Sequence, residues 1–219
     1  MRFRDRIHAG EMLAQQLAGR AWVNPIVLGI PRGGVEVAWP IARAMNAALN
    51  VVLVRKLRCS TQPELAIGAI DESGQFTLNP NAAFEPSGAV EAERVLQLDE
   101  IRRRSALLGT TGPRPTLRGR SVILTDDGVA TGATFLAALT LLRAQEPHTL
   151  IAAIPVAPAD RLSLLGEGCD ELICLHAPAL FGAVGAFYDD FAPVSDERVS
   201  ELLALGKQNT ERREAGGSP

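Results

Sequence analysis

The 219-residue chain is 47% apolar and sets 22 Lys and Arg against 25 Asp and Glu, a formal net charge of −3. That apolar content can bury one full core, and the acidic balance gives no general attraction to nucleic acid or to an anionic membrane surface. Three cysteines, Cys59, Cys169 and Cys174, are an odd number without paired metal-site spacing and suit a reducing cytoplasm.

In chain order, the charged opening MRFRDRIHAGEML has a helical pattern over about 4–19 and lacks the apolar segment of a signal peptide. No later run approaches the roughly 20 apolar residues of a membrane span. A short buried strand follows at 25–30, then Pro31-Arg32-Gly33-Gly34 and a helix over 35–47. Gly33 and Gly34 free the backbone to approach an anion, and Arg32 adds a permanent charge with forked donors. Pro40 falls inside that helix, so a kink or an irregular first turn is expected. The apolar strand at 50–55, centred on Val51–Val54, runs into Arg55 and Lys56. Residues 59–64 are polar and poorly patterned, and 65–79 alternate around Glu72-Ser73-Gly74 as a β-hairpin does. A helix over 88–108 follows; Asp99 with Arg103 and Glu100 with Arg104 are spaced as paired charges, so Arg102–Arg104 reads as a solvated, paired face. Gly112-Pro113-Arg114-Pro115 is a breaker.

Residues 122–134, VILTDDGVATGAT, are the most informative stretch. An apolar strand at 121–126 ends in Asp126 and Asp127, passes through a Gly- and Thr-rich loop and opens a helix over 132–145. Free N–H groups at a helix start suit a phosphate, and adjacent carboxylates suit sugar hydroxyls or a hydrated Mg²⁺. Together they point to a sugar phosphate. Beyond lie a strand at 148–156, a helix at 158–165, a strand at 170–175, the apolar, Gly-rich segment HAPALFGAVGAFYDDF and a last helix at 195–205. Strands alternating with helices predict an α/β fold, a doubly wound and mostly parallel sheet of about five strands. One domain is expected over 1–208, its core at about 21–176, with 209–219 as a disordered tail.

The 122–134 stretch resembles the 5-phosphoribosyl diphosphate (PRPP) signature of type I phosphoribosyltransferases. The resemblance implies that Asp126 and Asp127 contact the ribose hydroxyls and that Val129, Ala130, Thr131, Gly132, Ala133 and Thr134 wrap the 5′-phosphate. It implies that Arg32, Gly33 and Gly34 form the pyrophosphate loop, that Arg55 and Lys56 touch pyrophosphate oxygens, and that the 59–64 loop, carried on the hairpin, closes over PRPP. Mg²⁺ would be held by Asp126 and Asp127 through water. Arg32, Lys56, Asp126 and Asp127 are the expected catalytic set. A hood from about 1–20 and 177–205 would cover the acceptor, with Phe187 or Tyr188 as stacking candidates, although aromatic clusters of this kind more often pack cores, and His176 reads as a structural histidine.

Members using 6-oxopurines carry an Asp where this chain has Ala130, which counts against hypoxanthine or guanine. The acceptor-binding motif of the uracil enzymes is not evident either. The run of IPRGG, VRKL, PELAIGAI, LTDDGVATGAT and FYDDFAPVSDERV is similar to a group of bacterial phosphoribosyltransferases, some fused to an α/β-hydrolase domain. No G-x-S-x-G elbow occurs in this sequence. The expectation is a cytoplasmic, Mg²⁺-dependent phosphoribosyltransferase acting on PRPP and a small nitrogenous acceptor, dimeric by analogy, with no nucleic-acid or membrane partner. The alternatives are a PRPP-binding regulator without turnover and a nucleotide or sugar-phosphate hydrolase.

Overall fold

The computed structural model describes residues 1–110 and 115–216, with side chains described through residue 208. Apolar runs without polar interruption make its central strands: β1 (Ile26–Gly29), β6 (Ser121–Thr125) and β7 (Thr149–Val156) are buried along nearly their whole length. Strands buried on both faces belong in a parallel sheet covered on both sides. With β2 (Ala48–Val51) and β8 (Glu171–His176) they form a parallel sheet in the order β2-β1-β6-β7-β8. Val27, Ile123, Ile151 and Ala153 join one core cluster, which includes residues of α1 (Arg6–Leu17), α2 (Gly33–Ala44) and α6 (Asp196–Gly216). Their sequence neighbours Ile26, Leu28, Val122, Leu124, Leu150 and Ala152 face the other way, toward α4 (Ala133–Arg143) and α5 (Leu162–Glu167). This is the doubly wound α/β architecture expected from the sequence.

The order of strands places the functional edge. From β1 the chain steps to β2 on one side, whereas β6 leads to β7 and β8 on the other, so the crevice between β1 and β6 is the topological switch point. Gly29 pairs with Thr125 in register, and the Ile30 N–H donates to the Thr125 carbonyl at 3.0 Å. The segments leaving the two strands, Ile30–Gly34 and Asp126–Gly132, therefore emerge side by side.

One strand expectation is corrected. The run at 50–55 is not one strand: β2 stops at Val51, and β3 (Val54–Arg58) belongs to a separate antiparallel sheet with β4 (Ala66–Asp71) and β5 (Phe76–Leu78). Val52 and Leu53 are both buried, one in each core cluster, so the chain changes sheets without exposing apolar surface. The Leu53 N–H is taken by Glu72 Oε2 at 3.0 Å. The expected hairpin forms as β4 and β5, its turn held by the Asp71 carboxylate, which accepts from the Ser73 and Gln75 N–H groups. α3 (Ala89–Leu107) covers this small sheet.

The last helix runs past its expected end at 205 to Gly216, through part of the segment expected to be disordered. Glu211 to Ala215 are strong helix formers whose polarity reads as tail in a composition argument. Residues 217–219, and Gly112 to Arg114 of the expected breaker, lie outside the described residues.

α2 continues through Pro40 without a break. The proline ring faces α1, where a Cβ added at Gly10 would collide with Pro40 Cγ and the Val37 carbonyl oxygen. Gly10→Ala is therefore expected to cost about 2 kcal/mol by overpacking, read from urea denaturation. A midpoint equal to wild type would mean that the α1–α2 crossing has room to spare.

Candidate functional site

Two glycines decide the geometry at the switch point. A Cβ added at Gly33 would overlap the Asp127 carboxylate, and one added at Gly34 would sit 2.9 Å from Asp126 Cα and 3.0 Å from Asp126 Oδ1. The backbone of one loop is thus pressed against the carboxylates of the other, as only glycine permits. Arg32 caps α2 in a helical conformation, and the Pro31–Arg32 peptide is cis. Its guanidinium is 44% exposed and lies 3.8 Å from Asp196 at the start of α6.

Packing against the glycines shapes the charge state of the acidic pair. Burial, and then the neighbouring Asp127 carboxylate, raise the Asp126 pKa well above the ordinary carboxylate value. Asp126 Oδ1 accepts the Asp127 N–H at 2.8 Å. Asp127 is held by Arg6, whose Nε donates to Oδ2 at 2.8 Å. The Arg6 side chain is only 8% exposed; it also donates to the Ala192 carbonyl at 2.9 Å and lies 3.8 Å from the centre of the Phe191 ring.

The Asp127 carbonyl accepts from the Tyr188 hydroxyl, and the same burial raises the tyrosine pKa far above its usual value. Phe3 makes an isolated parallel bridge to Tyr188, its N–H donating to the Phe187 carbonyl and its carbonyl accepting from the Asp189 N–H, so the first residues and the 184–192 segment close together beside the acidic pair. α1 and α6, assigned by sequence to the hood, pack against α2 as part of the body.

The loop after the acidic pair is anchored by Val129, whose side chain is buried and whose N–H donates to the Val156 carbonyl at 2.9 Å. That N–H is committed, which removes Val129 from the expected phosphate donors. Ala130 and Thr131 are exposed, Gly132 takes φ +83° at the start of α4, and no side chain caps that helix. The first-turn N–H groups, at Ala133 and Thr134, therefore lack a side-chain cap, as suits a helix start that takes a phosphate.

A cavity of about 270 Å³ opens beside both loops. Ile30, Pro31 and Thr134 border it on the loop side, and Arg55, Lys56 and Arg58 enter from β3. Arg55 Nε donates to Gln97 Oε1 at 2.5 Å, and Gln97, 2% exposed on α3, passes the bond on to Glu93, which also holds Arg58. Sequence reasoning missed Arg6, Arg58 and Gln97, each of which has a partner at least 35 residues away in the chain.

Tyr188 is corrected as an acceptor contact. Its ring is 2% exposed, packed between Phe3 and Phe191, and its hydroxyl is spent on Asp127. Phe187 is half-buried against His176 and Phe181.

The donor set suits one class of metal. Among the described residues no three His, Cys, Asp or Glu converge on a protein-only cage. Two adjacent carboxylates would fit a hydrated Mg²⁺.

The sequence model of the phosphoribosyl transferase domain matches residues 4–190. Two Mycobacterium tuberculosis proteins, "Putative phosphoribosyl transferase MT0597" from strain CDC 1551 / Oshkosh and "Putative phosphoribosyl transferase Rv0571c" from strain ATCC 25618 / H37Rv, are each 41% identical over 204 residues, 92% of this chain. The chain spans 46% of the length of each of these relatives. The crystal structure of TT1426 from Thermus thermophilus superposes with a TM-score of 0.86 at 42% identity, covering 94% of this chain and 99% of that one.

Arg6 and Asp127 are both largely shielded, so breaking their pair leaves a poorly solvated charge. Arg6→Gln is expected to destabilise the fold by about 3 kcal/mol in urea denaturation. Arg2→Gln, which removes an exposed pair with Asp189, is expected to change stability by less than about 0.5 kcal/mol. Equal effects would show that the Arg6 pair is as dispensable as a surface one.

Proposed function

Because this chain belongs to the phosphoribosyl transferase domain family, we propose that it transfers a 5-phosphoribosyl group from PRPP to a nitrogenous acceptor and releases pyrophosphate. The observation that carries this reading is the packing of Gly33 and Gly34 on Asp126 and Asp127. It puts a loop suited to a diphosphate against carboxylates suited to a ribose.

In this reading the ribose 2′- and 3′-hydroxyls donate to Asp126 and Asp127. The 5′-phosphate takes the N–H groups that open α4, with the hydroxyls of Thr131 and Thr134 beside it. The diphosphate lies along Arg32–Gly34, with Arg55 and Lys56 on its other side. As the C1′–O bond lengthens, negative charge gathers on the departing oxygen, and Arg32 and Lys56 stabilise it more than they stabilise the ground state. Asp126 and Asp127 would hold a Mg²⁺ through water, and the chemistry it would supply there is positive charge against the leaving group. Residues 60–65 are exposed between β3 and β4. Their closure would keep water from an oxocarbenium-like centre that would otherwise hydrolyse.

Ala130 offers no general base, so the acceptor must present a nitrogen that is already nucleophilic. Phe187 is the remaining aromatic contact for it. We place the activity in the cytoplasm, in a homodimer.

PRPP with Mg²⁺, at about 100-fold over its Kd, should raise Tm by roughly 5–10 °C. Ribose 5-phosphate and AMP should do less, and Asp127→Asn should weaken the PRPP effect. Pyrophosphate release across a panel of bases and amines then separates transferase from regulator. No shift with PRPP would refute the site, and a shift without acceptor-dependent release would make the protein a PRPP sensor.

A further inference from the structure

The basic cavity has a wall that the proposed PRPP contacts do not use. Residues on α3 close it opposite β3, and among them is Arg104. The sequence spacing pairs Arg104 with Glu100, four residues earlier. The structure pairs differently: Glu100 takes Arg103 in a two-bond contact of 2.6 and 2.9 Å, and Asp99 takes Arg102 at 3.2 Å. Both pairs are i,i+3, and they turn their side chains to solvent, where Arg102 and Arg103 are 68% and 62% exposed. Arg104 is only half-exposed; it makes no direct ion pair with any described residue, and its charge acts on Glu100 from farther off.

The cavity's charge is one-sided. Arg55, Lys56, Arg58 and Arg104 line it, and among the described residues no Asp or Glu does, in a chain whose net charge is −3. Two of the four are already engaged: Arg58 with Glu93 at 2.9 Å, and Arg55 with Gln97. Lys56 and Arg104 make no such contact with any described residue, and they come from different elements, β3 and α3. Cations converging on a half-open cavity, two of them without a hydrogen-bonded partner among the described residues, favour a multiply charged anion, and a guanidinium matches phosphate oxygens two at a time.

We propose that Arg104 is a further diphosphate-binding residue, gripping the leaving group from α3 while Lys56 grips it from β3. This rests on the PRPP reading of the neighbouring loops and adds α3 to the elements that read the substrate. α3 packs on β3 and β4, so a ligand bridging Arg104 and Lys56 would also tie α3 to the strand from which the exposed 60–65 loop springs.

The test uses inorganic pyrophosphate with Mg²⁺ as the probe, titrated calorimetrically into the full chain, with PRPP in parallel. Arg104→Gln should weaken pyrophosphate binding about tenfold, the loss of one charge-assisted contact. Arg104→Lys should recover part of it. Arg102→Gln and Arg103→Gln, on the same helix but paired outward, should bind as wild type does. Wild-type affinity in Arg104→Gln, with PRPP still bound by the parent protein, would overturn the role of Arg104 and leave the PRPP reading standing. An equal loss in the Arg102 and Arg103 variants would reduce the effect to general surface charge and also overturn it. Failure of the parent protein to bind either probe would overturn both.

Discussion

The site depends on how closely two loops can approach at the carboxyl ends of β1 and β6. Gly33 and Gly34 lie against Asp126 and Asp127 with no space for a side chain, and a Cβ at Gly29 would stand 2.7 Å from the Gly34 carbonyl oxygen. Parallel pairing of β1 with β6 fixes where the loops start, and the glycines let them meet. The remaining features of the acidic side follow from that contact. Carboxylates pressed onto backbone lose water, so Asp126 is driven toward its neutral form and Asp127 requires a cation. Arg6 supplies it, and Arg6 is itself seated by Phe191 and Ala192. The first helix and the 191–192 segment are thereby tied to the same carboxylate.

The opposite side of the crevice is organised by charge of the other sign. The Arg55–Gln97–Glu93–Arg58 chain of hydrogen bonds fixes two arginines across the β3–α3 seam. A buried glutamine is well suited to bridge here: its carbonyl accepts from one arginine while its amide donates to a carboxylate that holds the other. Acidic groups at one end of the crevice and basic groups at the other match a ligand with hydroxyls at its centre and phosphates at its ends. That polarity is local, since the chain as a whole is slightly acidic.

Much of this could be read from the residues. The uninterrupted apolar runs identified β1, β6 and β7, and the Asp-Asp-Gly and Arg-Gly-Gly turns marked the loops that the fold brings together. The run at 51–54 misled because four consecutive apolar residues carry no punctuation; the break after Val51 is set by burial into two different clusters and by Glu72. Arg6 was illegible because its partners lie 121 and 186 residues away, and an arginine in a polar helix reads as solvated. Tyr188 stands in an apolar, Gly-rich cluster of a kind that more often packs a core, as it does here, yet its hydroxyl has an acceptor at the Asp127 carbonyl that no local pattern announces. On α3, i,i+3 and i,i+4 pairings compete at similar energy, so spacing alone could not say which arginine Glu100 holds directly.

The most direct measurement is a crystal structure of the chain with PRPP and Mg²⁺. The account predicts the ribose hydroxyls within hydrogen-bond distance of Asp126 and Asp127, the 5′-phosphate at the start of α4, and the diphosphate along Gly33–Gly34 facing Lys56. PRPP seated elsewhere, or with its diphosphate turned away from that glycine pair, would contradict it.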